Sequence, residues 1–238
     1  MPRRISAFLQ GASDPQAIQC LGLDWSANPA AWNSYAQTFS SAHDQDRASR
    51  YRRPEDALRH LLGRSLLRQL MHQRHPDAPS PSDWPRDTHG KPVSPVPGLH
   101  FSISHSGHQV WLAWCPVAAV GIDVEWLHGA LEPTELLDSL HPNEKSILQS
   151  LPPDQLKDAF MRCWCRKEAI SKAVGLGLSL PLDAFEVDPL ADSANWLRTP
   201  PAGSPAHWTC TDLPLSPDYQ LSLAASAANM RLRYQLLI

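Results

Sequence analysis

Apolar residues recur at helical spacing between Arg47 and Gln73, where Leu58, Leu61, Leu62, Leu66 and Leu70 share one stripe and Pro54 stands near the start. This predicts one helix over 47–73. A second helical pattern covers 154–174, with Leu156, Phe160, Cys163, Trp164, Ile170 and Val174 on its buried side and Gly175 and Gly177 as breakers beyond it. Between the two lies a stretch, 76–97, that holds seven prolines and reads as an irregular connection. Residues 99–104 and 109–114 then look like strands joined by His105-Ser106-Gly107-His108, and 117–125 like a third. Short helices are expected over 132–140 and 142–149, and strands over 184–187, 206–210, 219–224 and 231–237. Helix followed by strands thus occurs twice, which predicts an α+β chain of two halves, 1–116 and 117–238.

Composition adds little to this outline except by exclusion. The 238 residues are 42% apolar and 19% charged, enough to bury a core without staples, and a net charge of −3 implies no appetite for nucleic acid. The apolar run 110–124 is interrupted by Pro116 and Gly121, so it reads as strands rather than a membrane span. The N-terminus has basic residues but no apolar run of signal-sequence length, and the five scattered cysteines have no zinc spacing. Both point to a reducing cytoplasm. Eight arginines crowd 47–74 against Glu55 and Asp56, a patch that suits phosphate or an acidic protein, or else a solvated helix face.

Chemistry concentrates in three places. Within Gly121-Ile122-Asp123-Val124-Glu125 a strand puts both acids on one face, as a magnesium site or two solvated carboxylates. On the second helix, Trp164, Glu168 and Lys172 follow one another at i,i+4, a pattern that stabilises a helix even without function. The turn Phe101-Ser102-Ile103-Ser104-His105-Ser106-Gly107 offers hydroxyls, an imidazole and amides that can hold phosphate or simply bond locally. Adjacent strand residues point apart and no G-x-S-x-G elbow exists, which weighs against a Ser/His nucleophile.

In combination these motifs resemble the 4′-phosphopantetheinyl transferases, specifically the Sfp-type class. The resemblance runs in order through PEDALRHLLGR at 54–64, GKP at 90–92, FSISHSG at 101–107, GIDVE at 121–125, WCRKEAISKAVG at 164–175 and GLSLPL at 177–182. It implies two pseudo-symmetric α/β subdomains in one monomeric chain, with the active cleft between them. It also implies a holo-acyl-carrier-protein synthase activity: the phosphopantetheine arm of coenzyme A moves to a serine of an apo acyl or peptidyl carrier protein, and adenosine 3′,5′-bisphosphate leaves. By position, Asp123, Glu125 and Glu168 would bind Mg2+, and Lys172 would meet the pyrophosphate. Ser104 and His105 would hold the 3′-phosphate, Lys91 and Pro92 would line the nucleotide site, and Arg47, Arg53 and Arg59 would supply positive charge there. The chain departs from some relatives at His60, where they carry a hydroxyl residue, and at Asp44, where they carry a lysine.

The serine proton needs an acceptor, and Glu168, Glu144 and a water on the metal all remain open. The arginine patch gains a second reading as a steering surface for acidic carriers, with Arg64 and Arg68 as test positions. The carrier's pathway stays open among fatty-acid, polyketide and nonribosomal-peptide synthesis. Two other functions compete: a magnesium-dependent phosphohydrolase acting on nucleotides, and a silent nucleotide-binding or carrier-binding module.

Overall fold

The computed structural model describes residues 2–11, 14, 16–88, 90, 92–129 and 136–238. The chain divides into two compact units, residues 1–117 with 231–238, and residues 118–230. Along the first run α1 (Pro2–Gln10), β1 (Ala17–Asp24), α2 (Pro29–Phe39), α3 (Ala42–Ala48), α4 (Pro54–Arg74), β2 (His100–Ser106) and β3 (Gln109–Cys115). The second holds β4 (Val120–Trp126), α5 (Pro142–Gln149), α6 (Pro153–Val174), β5 (Glu186–Val187), β6 (Leu197–Thr199), β7 (Thr209–Asp212) and β8 (Tyr219–Ala225); β9 (Arg231–Leu237) then returns to the first. Helices and mostly antiparallel sheets in segregated groups make this an α+β protein.

The first unit has a sheet in the order β2-β3-β1-β9, with β1 antiparallel to β3 and parallel to β9. The last strand therefore belongs with the first unit, unlike the expected division at 116/117. Leu61, Leu62, Leu66, Leu67, Leu70 and Met71 of α4 are buried in one core with Leu112 and Trp114 of β3. Gly63 lets α4 approach the sheet, since a Cβ there would stand 2.9 Å from Ile103 Cγ2. The single helix expected over 47–73 is in fact two. A Ser41/Asp44 capping box starts α3, and Pro54 sits in the first turn of α4 with Arg53 before it in an extended conformation (φ −107°, ψ 130°). A proline disfavours helical backbone at the preceding residue, so the chain must break there.

The expected hairpin is present: Ser106 pairs with Gln109, which leaves Gly107-His108 as a two-residue loop, with Gly107 at φ +55°. A glycine at the first loop position is what such a turn favours.

The second unit has a sheet in the order β4-β8-β7, a two-stranded β5-β6 ribbon, and α6 packed across β4 and β8. Phe160, Cys163, Ile170, Phe185 and Trp196 are its buried centre. Gly175 ends α6 in the left-handed region (φ +88°), and its N–H donates to Ser171 O. The helix expected over 132–140 falls partly on residues 130–135, which lie outside the described set; a 3-10 turn occupies Leu137–Ser139. All five cysteines are free and buried. Among the described residues no helix is long and apolar enough to cross a membrane.

Candidate active site

The acidic strand and the long helix meet in the second unit because of one glycine. A Cβ on Gly121 would stand 1.9 Å from Ala169 O and 2.5 Å from Ala173 N, so only glycine allows α6 to lie this close to β4. Two residues on, Asp123 is 3% exposed and its Oδ1 lies 2.6 Å from Lys172 Nζ. Behind it the Cys165 thiol donates to Asp123 O at 3.0 Å, which ties the helix to the strand backbone. Glu125, half-buried, follows on the same strand face.

The charges are coupled. Burial raises the pKa of Glu168, the Asp123 carboxylate raises it further, and Lys172 opposes both. Burial alone would lower Lys172, yet the Asp123 and Glu168 carboxylates reverse this and hold its ammonium above the usual lysine range. The helix phase thus brings Glu168 and Lys172 to Asp123. Trp164, one turn earlier, instead stacks on Phe160 at 6.3 Å and packs against the core.

The neighbouring motif residues face elsewhere. Arg166 and Lys167 are fully buried. Arg166 grips Asp212 through Nη2 (2.6 Å) and Nε, and also donates to the carbonyls of Asp188, Ala191 and Asp192. Lys167 Nζ donates to Leu182 O (2.6 Å) and Phe185 O (2.8 Å), lies over the Phe185 ring, and pairs with Glu144 Oε1 at 2.8 Å. Glu144 Oε1 also accepts the Val187 N–H, and Oε2 accepts the His141 N–H at the start of α5. A carboxylate that is 0% exposed and bonded on both oxygens ties α5, α6 and β5 together, a structural role rather than that of a base for a substrate serine. Sequence reading did not single out Lys167 as structural; the available signal was helix phase, since five residues separate it from Lys172 by about 140° around the axis.

In the first unit, Arg59 Nη1 donates to Gly107 O at 2.6 Å and the same guanidinium pairs with Asp56, which pins the loop of the β2-β3 hairpin to the start of α4. Ser104 on β2 is buried and His105 exposed. His60, one residue after Arg59, has its pKa lowered to about 4, first by burial and then by Arg47; Arg64 and His105 add to this and Asp44 opposes it. Its Nε2 is buried without a hydrogen-bond partner, and Tyr51 lies against the ring at 5.6 Å. A cavity of about 410 Å³ is lined by Arg47, Arg50, Tyr51 and Arg86 among others. Arg53 is exposed at the start of α4, and Pro92 bridges to Arg86. Lys91 lies outside the described residues.

The steering surface expected at Arg64 and Arg68 is not a surface. Arg64 Nε and Arg68 Nε lie 2.9 and 3.0 Å from the two oxygens of Asp44, which is 2% exposed, and Arg64 is itself only 8% exposed. Arg64 also donates to Pro81 O, and Arg68 to Ser80 and Ser82, so the pair anchors the proline-rich connection to α4. Asp44 is thereby the counter-ion of this cluster, and its pKa is held well below the usual carboxylate range.

Among the described residues no three His, Cys, Asp or Glu side chains stand together as a ready metal site. The donor chemistry around Asp123 nevertheless fits magnesium. Asp123, Glu125 and Glu168 offer only hard oxygen donors, and the pKa of Glu168 is raised first by burial and then by the Asp123 carboxylate, with Lys172 opposing both.

Comparison with known proteins gives concordant matches for both parts of the chain. Residues 119–224 match the family model of the 4′-phosphopantetheinyl transferase superfamily, and residues 23–117 that of the 4′-phosphopantetheinyl transferase N-terminal region. A Bacillus subtilis 4′-phosphopantetheinyl transferase is 35% identical over 193 residues, 79% of this chain and 82% of the relative. The transferase Sfp of Bacillus subtilis strain 168 is 32% identical, with 82% and 85% covered, and HetI of a Nostoc species 34%, with 71% and 73% covered.

Proposed function

Because the chain belongs to the 4′-phosphopantetheinyl transferase superfamily and is an enzyme of that type, we propose that it transfers phosphopantetheine from coenzyme A to a serine of an apo acyl or peptidyl carrier protein. Adenosine 3′,5′-bisphosphate leaves, and the reaction depends on Mg2+. The chain works as a monomer in the cytoplasm. The observation that carries this reading is the buried cluster in which Asp123 meets Lys172 at 2.6 Å with Glu168 beside them.

Asp123, Glu125 and Glu168 would hold the Mg2+. When bound, it neutralises phosphoryl oxygens as negative charge moves to the leaving group. Lys172 presents a side chain that is 26% exposed, from a helix fixed behind it by Cys165, so its ammonium can meet the pyrophosphate without losing its anchor. Glu168, placed beside Asp123 and Lys172, is one candidate acceptor for the proton of the attacking serine, and a water on the metal is another. In the first unit, Ser104 and His105 take the 3′-phosphate, and Arg47, Arg53 and Arg59 with Lys91 and Pro92 serve the nucleotide end. His60, next to Arg59, stays neutral and adds no charge there.

A panel of apo carrier proteins, incubated with coenzyme A and Mg2+ and read by mass spectrometry, tests this. A gain of about 340 Da on a carrier marks the transferred arm. Glu168→Gln should keep coenzyme A affinity by calorimetry and lower transfer about a hundredfold or more. Normal transfer by Glu168→Gln removes the assigned role, and coenzyme A turnover without any acceptor would replace the reading with a phosphohydrolase.

A further inference from the structure

The transferase reading uses Lys172 of α6 and leaves Arg166, which is more deeply buried, without a task. The Arg166 side chain is 1% exposed, and that of its partner Asp212 on β7 is 13% exposed. Arg166 Nε and Nη2 reach Asp212 Oδ2 at 3.1 and 2.6 Å, while Nη1 and Nη2 also donate to the carbonyls of Asp188, Ala191 and Asp192. Replacing such a buried pair by apolar residues is often neutral or even stabilising, so stability is a weak reason for its presence. What a forked guanidinium on a carboxylate does supply is direction.

Strand register shows where that direction leads. Ser222 on β8 stands opposite both Asp123 on β4 and Asp212 on β7, so the three side chains form one row on one face of the sheet. Ser222 is fully buried, and its Oγ donates to Asp212 Oδ1 at 2.8 Å. Asp123 at one end of the row pairs with Lys172, and Asp212 at the other end pairs with Arg166. Both cations come from α6, about 120° apart around its axis. Cys165, the residue before Arg166, bonds Asp123 O, so adjacent positions of α6 hold both ends of the row.

Apolar contact is non-directional and by itself leaves a packed helix some freedom to roll. Two ion pairs at opposite ends of one row remove that freedom, since a roll that suits one pair opens the other. We propose, on the strength of the transferase reading, that Arg166 and Asp212, with Ser222 between the two acids, are positioning residues for the transfer. They fix the roll of α6 so that Glu168 and Lys172 both face Asp123.

Asp212→Asn keeps the shape of the side chain and removes its charge. It should lower kcat about tenfold to a hundredfold, the usual effect of disturbing a partner behind a metal ligand, while KM for the carrier stays native. It should also shrink the gain in coenzyme A affinity that Mg2+ brings, read by calorimetry with no carrier present. Ser222→Ala strands no charge and decides the matter should Asp212→Asn fail to fold; a several-fold loss of kcat is expected. Arg166→Met with Asp212→Leu removes both charges at once, and should regain the thermal stability lost in Asp212→Asn without regaining kcat. A pair that only builds the frame gives the opposite result, with stability and kcat recovered together. Native kcat in Ser222→Ala or in folded Asp212→Asn, an undiminished Mg2+ gain, or kcat restored in the double variant overturns the proposal. A native chain that transfers to no carrier, or whose coenzyme A affinity gains nothing from Mg2+, fails the transferase reading itself and takes the proposal with it.

Discussion

Lys167 and Lys172 sit five residues apart on α6 and do opposite things. Lys172 reaches the acidic pocket, while Lys167 is buried against Glu144 and two carbonyls. Removing one partner of a buried pair strands the other charge, so Lys167→Met should destabilise the protein by about 3–5 kcal/mol in urea unfolding. The double change Lys167→Met with Glu144→Leu should recover much of that loss; if it does not, the pair matters for more than its own compensation. His60 contributes one part of the pH dependence. Its folded pKa, about 4, lies below the usual histidine value, so the unfolded chain binds the extra proton first as pH falls. Stability from this residue is therefore intact above about pH 6.5 and drains away down to about pH 4. His60→Gln should flatten the stability–pH curve across that window by on the order of 2 kcal/mol, with solvent screening of a half-buried ring allowed for. An unchanged curve would show that another group carries the slope.

At the scale of elements, the candidate site depends on how closely α6 approaches β4. Gly121→Ala would push a methyl against the Ala169 carbonyl and the Ala173 amide, backbone atoms that cannot rotate away. The expected cost is about 3 kcal/mol or more, the upper end of overpacking, because helix and strand must separate. Denaturant unfolding measures this, and a loss below about 1 kcal/mol would mean that α6 slides without penalty. The helix break before Pro54 shows the same dependence on local backbone. The leucine stripe runs only over 58–70, and a proline's effect on the residue before it, with the Ser41/Asp44 box, resolves the segment expected as one helix into α3 and α4. The hairpin was readable because two alternating strands flank a glycine-containing turn. Central β1 was not, because it is buried nearly throughout and shows no polar face to alternate.

Across the whole molecule, the last strand returns to pair with β1 in the first unit. Deleting residues 231–238 should therefore reduce hydrogen-exchange protection in β1 and leave β4 and α6 of the second unit protected. Loss confined to β4 and α6 would contradict this division. The same deletion removes Arg233, which caps α1 and orients Gln19. The arginine-rich segment makes a related point about charge. A count over 47–74 suggests a basic face, yet Arg64 and Arg68 are turned inward onto Asp44, and Arg74 onto carbonyls of the α1 end. A surface cannot be read from a tally of charges, because each long side chain chooses among all partners within its reach.

Spacing along the chain was enough to mark α6, the hairpin, the D-x-E strand and the order of motifs, since each rests on contacts within a few residues or on a short repeated period. Folding alone sorted the motif residues into those that meet Asp123 and those that build the frame. Whether Glu144 faces Lys167, Asp44 faces two arginines, or β9 joins β1 depends on residues brought together from 20 to more than 200 positions away. Such pairings balance desolvation against partners that no local period encodes.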